Sequence, residues 1–325
     1  EISTPATRGR LGAMYQFNIV FGILIAFLSN YFLKGFDGAN DWRWMLGVLA
    51  IPSVIYTIMV MRVPESPRWL ITKKNDLDAA KNILQVMGVR DAEAEISSII
   101  TSNRHEASLG VSTLYSSKYK TVLWLAFMVA CFNQLSGINF ILYYAPEILE
   151  KAGLAAKDSL FNSIAIGGIN LLFTFVGLYL IDKLGRKTLL IVGSLGYIIS
   201  LGMVAWSFYS HAGPEFLMIF LLFFIAAHAI GQGAVIWVFI SEIFPNKVRA
   251  TGQSFGASVH WVFAALITLI TPVFLDSTDG IFKDNPWPIF AFFAGMMVLQ
   301  LIWVLTKVPE TKGVSLEALE KKLVG

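Results

Sequence analysis

Charge is scarce in this chain of 325 residues: Asp, Glu, Lys and Arg make up 14% of it, against roughly 25% in a soluble domain. That scarcity excludes a cytosolic enzyme, a disordered regulator and a nucleic-acid binder as first readings. The net charge of +3 is small, so where the charges sit matters more than their sum. Cysteine is almost missing. The single Cys131 lies in an apolar run, which excludes a disulfide framework and a cysteine zinc site; neither a metal nor a cofactor is expected. There is no Asn-x-Ser/Thr sequon, no Walker lysine pattern and no His-Glu-x-x-His zinc motif. Nor does a basic stretch, a short apolar core and a cleavage site follow one another near Glu1, as a signal peptide requires. The chain opens on Glu1 instead of a methionine, and the N-terminus of a longer protein is expected to be missing from it.

What is plentiful is apolar surface. Hydrophobic residues reach 56%, with 25 Phe and 9 Trp, and the mean hydropathy is +0.64. A helix needs about 20 apolar residues to cross a bilayer. Eight windows qualify: 11–33, 43–62, 119–146, 159–181, 188–210, 215–240, 250–274 and 287–306. They are expected to be helices, because lipid offers an open backbone no hydrogen-bond partner. Gly167, Gly168, Gly231 and Gly233 suit close helix approach or helix breaks. Of the 25 Lys and Arg, 20 fall in alternate connections on one side of the membrane and 5 on the other. The positive side is cytoplasmic, so both ends of the chain are expected there.

One connection is long and polar. Residues 64–118 contain two short amphipathic patterns: Asp76 or Asn75 caps one with Leu77, Ala80 and Leu84 on a face, and Asp91 caps another bearing Ile96, Ile99 and Ile100. A structureless loop of such length is improbable, and small helices against the membrane face are expected instead. This connection divides the chain into two spans before it and six after it.

The remaining charges gather at the cytoplasmic ends of the spans. They read Pro64-Glu65-Ser66-Pro67-Arg68, Asp182-Lys183-Leu184-Gly185-Arg186-Lys187, Ser241-Glu242-Ile243-Phe244-Pro245 with Arg249 beyond, and Pro309-Glu310-Thr311-Lys312-Gly313. Each sets a carboxylate near a cation. One such motif is ordinary loop charge; four on one side are not. Inside the spans the polar residues are uncharged. The third span is the richest: on an ideal helix Asn133, Ser136, Asn139, Phe140, Tyr143 and Tyr144 share one face. Gln134 lies off that face unless Gly137 breaks the helix, as in discontinuous transporter helices. Amides both donate and accept hydrogen bonds, matching hydroxyl groups, and aromatic rings cover apolar C–H faces. A neutral, polyhydroxylated substrate fits this better than an ion, which would call for buried charge. The competing reading of the amides is interhelical bonding alone.

Together the four charged motifs, Arg8-Gly9-Arg10 leading to Gln16, and Gln134-Leu135-Ser136-Gly137-Ile138-Asn139 followed by Tyr143-Tyr144-Ala145-Pro146 resemble the sugar porter family of the major facilitator superfamily. The resemblance implies an all-α membrane protein with a partial major facilitator fold: eight transmembrane helices plus short cytoplasmic ones, aligned with the family's spans five to twelve. Residues 1–63 then hold the last two helices of the N-terminal bundle, 64–118 the cytoplasmic linker, 119–306 the C-terminal six-helix bundle and 307–325 a cytoplasmic tail. Family binding positions fall on Gln16, Gln134, Asn139, Asn170 and Trp237. Asn133 stands where the family has a second Gln, and His260-Trp261 where it has an Asn or Gln followed by Trp. With Tyr143 these make the expected sugar site. Glu65, Arg68, Asp182, Arg186, Glu242 and Arg249 make the expected cytoplasmic gate. Gly231-Gln232-Gly233-Ala234 lacks the prolines of many relatives, which implies a softer hinge. His228 is expected to be a hydrogen-bonded core histidine.

The implied function is transport of a neutral monosaccharide (hexose, pentose or polyol) by alternating access, as proton symporter or uniporter. The partners are the sugar, possible protons and the bilayer of a bacterial inner membrane, with the protein a monomer. The family's coupling Asp and Arg lie on its first and fourth spans, outside this chain, so the coupling mode is open, and the chain alone is not expected to transport. Two other classes are weighed. A transporter-like sensor would bind without moving its ligand, but the tail ending at Gly325 is short for one. A membrane serine esterase is suggested by Gly252-Gln253-Ser254-Phe255-Gly256, which fits the nucleophile elbow. That motif opens an apolar helix after a charged turn, so Gly252 and Gly256 are read as a packing face.

Overall fold

The computed structural model describes residues 5–89, 91–107, 114–314 and 316–324, with side chains described for these except at 5–13, 15, 102–107, 246, 316 and 317. The described residues form sixteen α-helices and no strand. They are α1 (Pro5–Leu33), α2 (Asp41–Gly47), α3 (Ala50–Val60), α4 (Pro67–Trp69), α5 (Leu77–Val86), α6 (Ala92–Ala107), α7 (Lys120–Leu135) and α8 (Ile138–Tyr143). After them come α9 (Ala145–Lys151), α10 (Ala156–Leu184), α11 (Arg186–Ser210), α12 (Pro214–His228), α13 (Ala234–Ile243), α14 (Arg249–Leu275), α15 (Trp287–Lys307) and α16 (Leu316–Leu323). Among the described residues eight stretches are long and apolar enough to cross a membrane: Gln16–Leu33, Gly38–Val60, Ser117–Tyr143, Ala156–Leu184, Arg186–Ser210, Pro214–Ile243, Arg249–Leu275 and Trp287–Lys307. They coincide with the eight hydropathy windows. This is an all-α, multi-pass membrane protein.

The chain falls into two compact units. The first takes Glu1–Gln16 and Leu33–Thr113. Here Asp41 organises the turn into the second span: its carboxylate accepts from the Gly35 and Asp37 amides at 2.6 and 2.8 Å. The polar connection does contain helices. Asp76 accepts from the Ala79 amide at 3.0 Å and caps α5, while Asn75 takes left-handed geometry at the end of a π-turn, Leu70–Lys74. Asp91 accepts from the Ala94 amide at 2.9 Å at the start of α6. Ala80, Leu84 and Ile96 are buried with Leu70, Ile71 and Ala92 in one small core, against which Ile99 and Ile100 pack. Leu77 departs from the expected face; it is exposed, because the first residue of a capped helix starts before the packed turn. Arg8, Gly9 and Arg10 belong to α1, but their side chains lie outside the described residues.

The second unit takes Phe17–Phe32 and Leu114–Gly325. Its core runs along α7 to α15, with Phe140, Tyr197, Phe224, Phe239, Phe244 and Phe290 fully buried. Two interruptions shape it. Gly137 has φ +81° and separates α7 from α8. The Ala229–Gly233 segment winds as a π-turn between α12 and α13, in the sequence stretch that lacks proline. Small residues serve close approach: a side chain on Gly231 would strike Gly193, and one on Gly167 would meet Leu24 and Phe27, whereas Gly168 faces open space. His228 is a core histidine whose Nδ1 lies 2.8 Å from the Tyr197 hydroxyl.

Candidate functional site

The third span carries the polar centre, and the break at Gly137 sets its geometry. With φ +81° the chain turns where L side chains are disfavoured, and a Cβ here would lie 2.6 Å from the Phe293 ring. The break resets the helical phase. Gln134, off the polar face of an ideal helix, thereby meets Asn139: the Asn139 amide donates to Gln134 Oε1 at 2.9 Å. Gln134 Nε2 donates to Asn133 Oδ1 at 3.0 Å and lies 3.1 Å from His260 Nε2 and 3.3 Å from His260 Nδ1 on α14. The imidazole is the acceptor there, since the amide nitrogen has only donors.

The same reset corrects the ideal-helix face. Phe140 does not join the amides; it is buried against Phe290 and Phe293 of α15, at ring separations of 5.6 and 5.5 Å. Ser136 is spent on the backbone, donating to the Asn133 carbonyl at 2.6 Å. Tyr144 donates to the Thr268 carbonyl at 3.2 Å, tying the segment after the break to α14.

Aromatic rings flank the amides. Trp237 of α13 packs on His260 at 4.9 Å and Trp261 meets His260 edge-on at 5.0 Å. Asn133, Gln134 and His260 are buried, while Trp261 is exposed. The described contacts thus join Asn133, Gln134, Asn139, His260, Trp237 and Trp261 in one cluster. Asn170 is buried on α10 and Tyr143 exposed on α8, and neither side chain bonds to that cluster among the described residues. Gln16 stands half-buried on α1, in the first unit. Among the described residues the cluster keeps free hydrogen-bonding capacity: both Asn133 amide hydrogens, one on Asn139 and lone pairs on all three carbonyl oxygens. No charged side chain bonds to it among the described residues. Chemically it can bind a guest rich in hydroxyls and apolar C–H faces.

The gate candidates fall into two sets. In the first unit Glu65 holds Lys74 at 3.0 Å, and Arg68 lies half-buried in α4. In the second unit Arg186 is the hub, 9% exposed. It makes a bidentate pair with Glu242, Nη2 to Oε1 at 2.8 Å and Nε to Oε2 at 3.1 Å, and reaches Asp182 at 3.2 Å. Thr311 donates to Glu242 Oε2 at 2.6 Å. Arg249 donates through Nε to the Phe244 carbonyl at 3.2 Å. Arg186 is therefore a buried guanidinium with satisfied donors, tighter than the solvated pairs expected of loop charge.

Glu310 belongs to one of the four charged motifs but not to the expected gate, and its role as a cap was missed. The first turn of α11 carries Arg186 and Lys187 and no acidic residue, and Gly185 offers no capping side chain. Glu310 supplies the cap from the far end of the chain, accepting from the Arg186 and Lys187 amides at 2.9 and 3.0 Å. Burial pushes its carboxyl up, but backbone donors at Lys312, Arg186, Lys187 and Thr311 outweigh this and hold it below the ordinary value. Gly185 has to be glycine for two reasons: φ is +91°, and a Cβ would lie 2.5 Å from a Glu310 oxygen. The available signal was two cations and a glycine at a helix start that has no anion of its own.

The serine motif does not form an elbow. Ser254 lies inside α14, exposed, its hydroxyl donating to the Ala250 carbonyl at 3.0 Å. Gly252 and Gly256 admit the Phe244 ring and Ile240.

A family model described as Sugar (and other) transporter matches residues 1–323. The chain is 34% identical over 329 residues to the glucose transporter GlcP of Staphylococcus epidermidis, covering 99% of this chain and 71% of that protein. It is 32% identical over 333 residues to the D-xylose-proton symporter of Escherichia coli, covering 98% and 66%. Among solved structures, the inward open conformation of the xylose transporter XylE from E. coli matches with a TM-score of 0.79 at 32% identity, over 99% of this chain and 67% of that one. The chain thus spans about two thirds of the length of these proteins.

Proposed function

The chain belongs to the sugar porter family of the major facilitator superfamily, and on that premise we propose that the protein moves a neutral monosaccharide across a bacterial inner membrane by alternating access. It is a transporter and not an enzyme. The observation that carries the reading is the hydrogen-bonded string Asn133–Gln134–Asn139 with His260, flanked by Trp237 and Trp261. Its free donors and acceptors suit sugar hydroxyls, and its indoles suit the ring faces. Tyr143 and Asn170 of the same unit, and Gln16 of the first unit, are proposed as further sugar ligands. Glucose and xylose transport by the relatives supports hexoses and pentoses as the first sugars to try; one relative is named a proton symporter, and the name of the other leaves the coupling open.

The charged residues Glu65, Arg68, Asp182, Arg186, Glu242 and Arg249 form the proposed gate. It faces the cytoplasm, as do both chain ends, because Lys and Arg concentrate on that side. The working unit is proposed to be a monomer. Uptake of labelled hexoses and pentoses by cells producing a full-length version that contains this chain tests the proposal. Gln134→Ala is expected to raise the half-saturating concentration or abolish uptake, and unchanged uptake contradicts it.

A further inference from the structure

α14 and α15 leave a recess between them, floored by Leu135 of α7 and Phe140 of α8, with a volume of about 590 Å3. Its depth is closed and its mouth is open. Phe140, Thr271 and Ile289 inside are 2%, 2% and 9% exposed, whereas Leu266, Ile270 and Phe292 at the rim are 47%, 46% and 56% exposed. Among the described residues Thr271 is the one hydroxyl in the wall, and it donates to the Ile267 carbonyl at 2.7 Å. A lining without a free donor does not hold ordered water or reward a sugar hydroxyl.

Size narrows the occupant further. A transmembrane helix is about 10–12 Å across and roughly 30 Å long, too large for the recess. The volume does lie in the range of roughly 300–1,000 Å3 that small ligands fill. The mouth is continuous with exposed apolar side chains of two membrane-length helices, a surface of the kind that hydrocarbon chains cover in a bilayer. Left empty, the recess forfeits dispersion contacts along its wall. Phe274 stands in the last turn of α14 and Pro288 in the first turn of α15, so the recess lies near the membrane surface, within reach of the upper part of a lipid tail.

We propose that this recess is a binding site for one acyl chain of a membrane phospholipid. The site is separate from the proposed sugar cluster but backs onto it, since Leu135 and Phe140 adjoin Gln134 and Asn139 on either side of the Gly137 break.

The test uses the purified full chain in nanodiscs made with a phosphatidylcholine carrying a diazirine on one acyl chain, with adducts mapped by peptide mass spectrometry. Adducts are expected to concentrate on residues 263–274 and 288–292. Ile270→Trp and Leu266→Trp, each filling the mouth, should cut that yield roughly tenfold, the effect of about 1.4 kcal/mol. Adducts near exposed Leu172 and Ile199 should persist in both variants. An even spread of adducts over all outward apolar residues of the unsubstituted protein overturns the proposal, whether or not the variants fold. So does an undiminished yield in either tryptophan variant that melts like the parent. Sugar transport is not read in any arm, so failure here leaves the transport proposal standing.

Discussion

Gln134 concentrates the site's energetics in one side chain. Its amide joins Asn133, Asn139 and His260, and a neutral hydrogen bond is worth about 0.5–1.5 kcal/mol net. Gln134→Ala releases the amides that Gln134 orients and removes its free Oε1 lone pair, and the loss of about one such bond to a sugar hydroxyl should weaken sugar binding by roughly an order of magnitude. Gly137 is the second decisive residue. Gly137→Ala meets both the left-handed backbone region and the Phe293 ring, so it should destabilise the fold by at least ~1–2 kcal/mol and lower the melting temperature. Adding Phe293→Ala should remove the clash but not the backbone penalty; a single variant that melts like the parent contradicts this account. Legibility at this scale was uneven. The amides, the indoles and the break were all visible in the sequence. The ideal-helix face nevertheless misplaced Phe140 and Gln134, because a period of 3.6 carries no information across a residue at positive φ.

Among the elements, α11 shows how distant segments are tied together. Its N-terminus begins with two cations and is capped by Glu310 from beyond α15. Because the Glu310 carboxyl is held below its ordinary value of 4.5, the stabilisation is present above that pH and is lost as pH falls through the depressed value. Glu310→Gln should therefore lower the melting temperature at neutral pH, and the gap to the parent should close on acidification below about pH 4.5. A gap that stays constant with pH contradicts the cap. Beside it, Arg186 and Glu242 form a largely buried pair, with side chains 11% and 23% exposed. Removing one partner of a buried pair costs about 3–5 kcal/mol, so Glu242→Ala should destabilise strongly, and a melting temperature like the parent's would show the pair to be solvated in function. Charged motifs at span ends could be read as a set from the sequence, but which carboxylate serves which cation could not. That depends on Thr311 and Glu310 reaching α11 and α13 across more than sixty residues of chain.

For the whole molecule, eight spans were legible because each apolar run is long enough to cross a bilayer and is bounded by polar connections. The helices of the polar connection were legible too, through Asp76 and Asp91 at their starts. The recess between α14 and α15 was not, since a void depends on what neighbouring helices fail to fill. Transport itself rests on one claim, that the cluster around Gln134 receives an uncharged sugar. Calorimetric titration of the purified full chain with D-glucose and D-xylose, for the parent and Gln134→Ala, tests it most directly. Saturable heat is expected with at least one sugar in the parent, and an affinity at least ~10-fold lower in a variant that remains folded at the titration temperature. Equal affinity in the two proteins, or no binding of any neutral sugar by the parent, would contradict it.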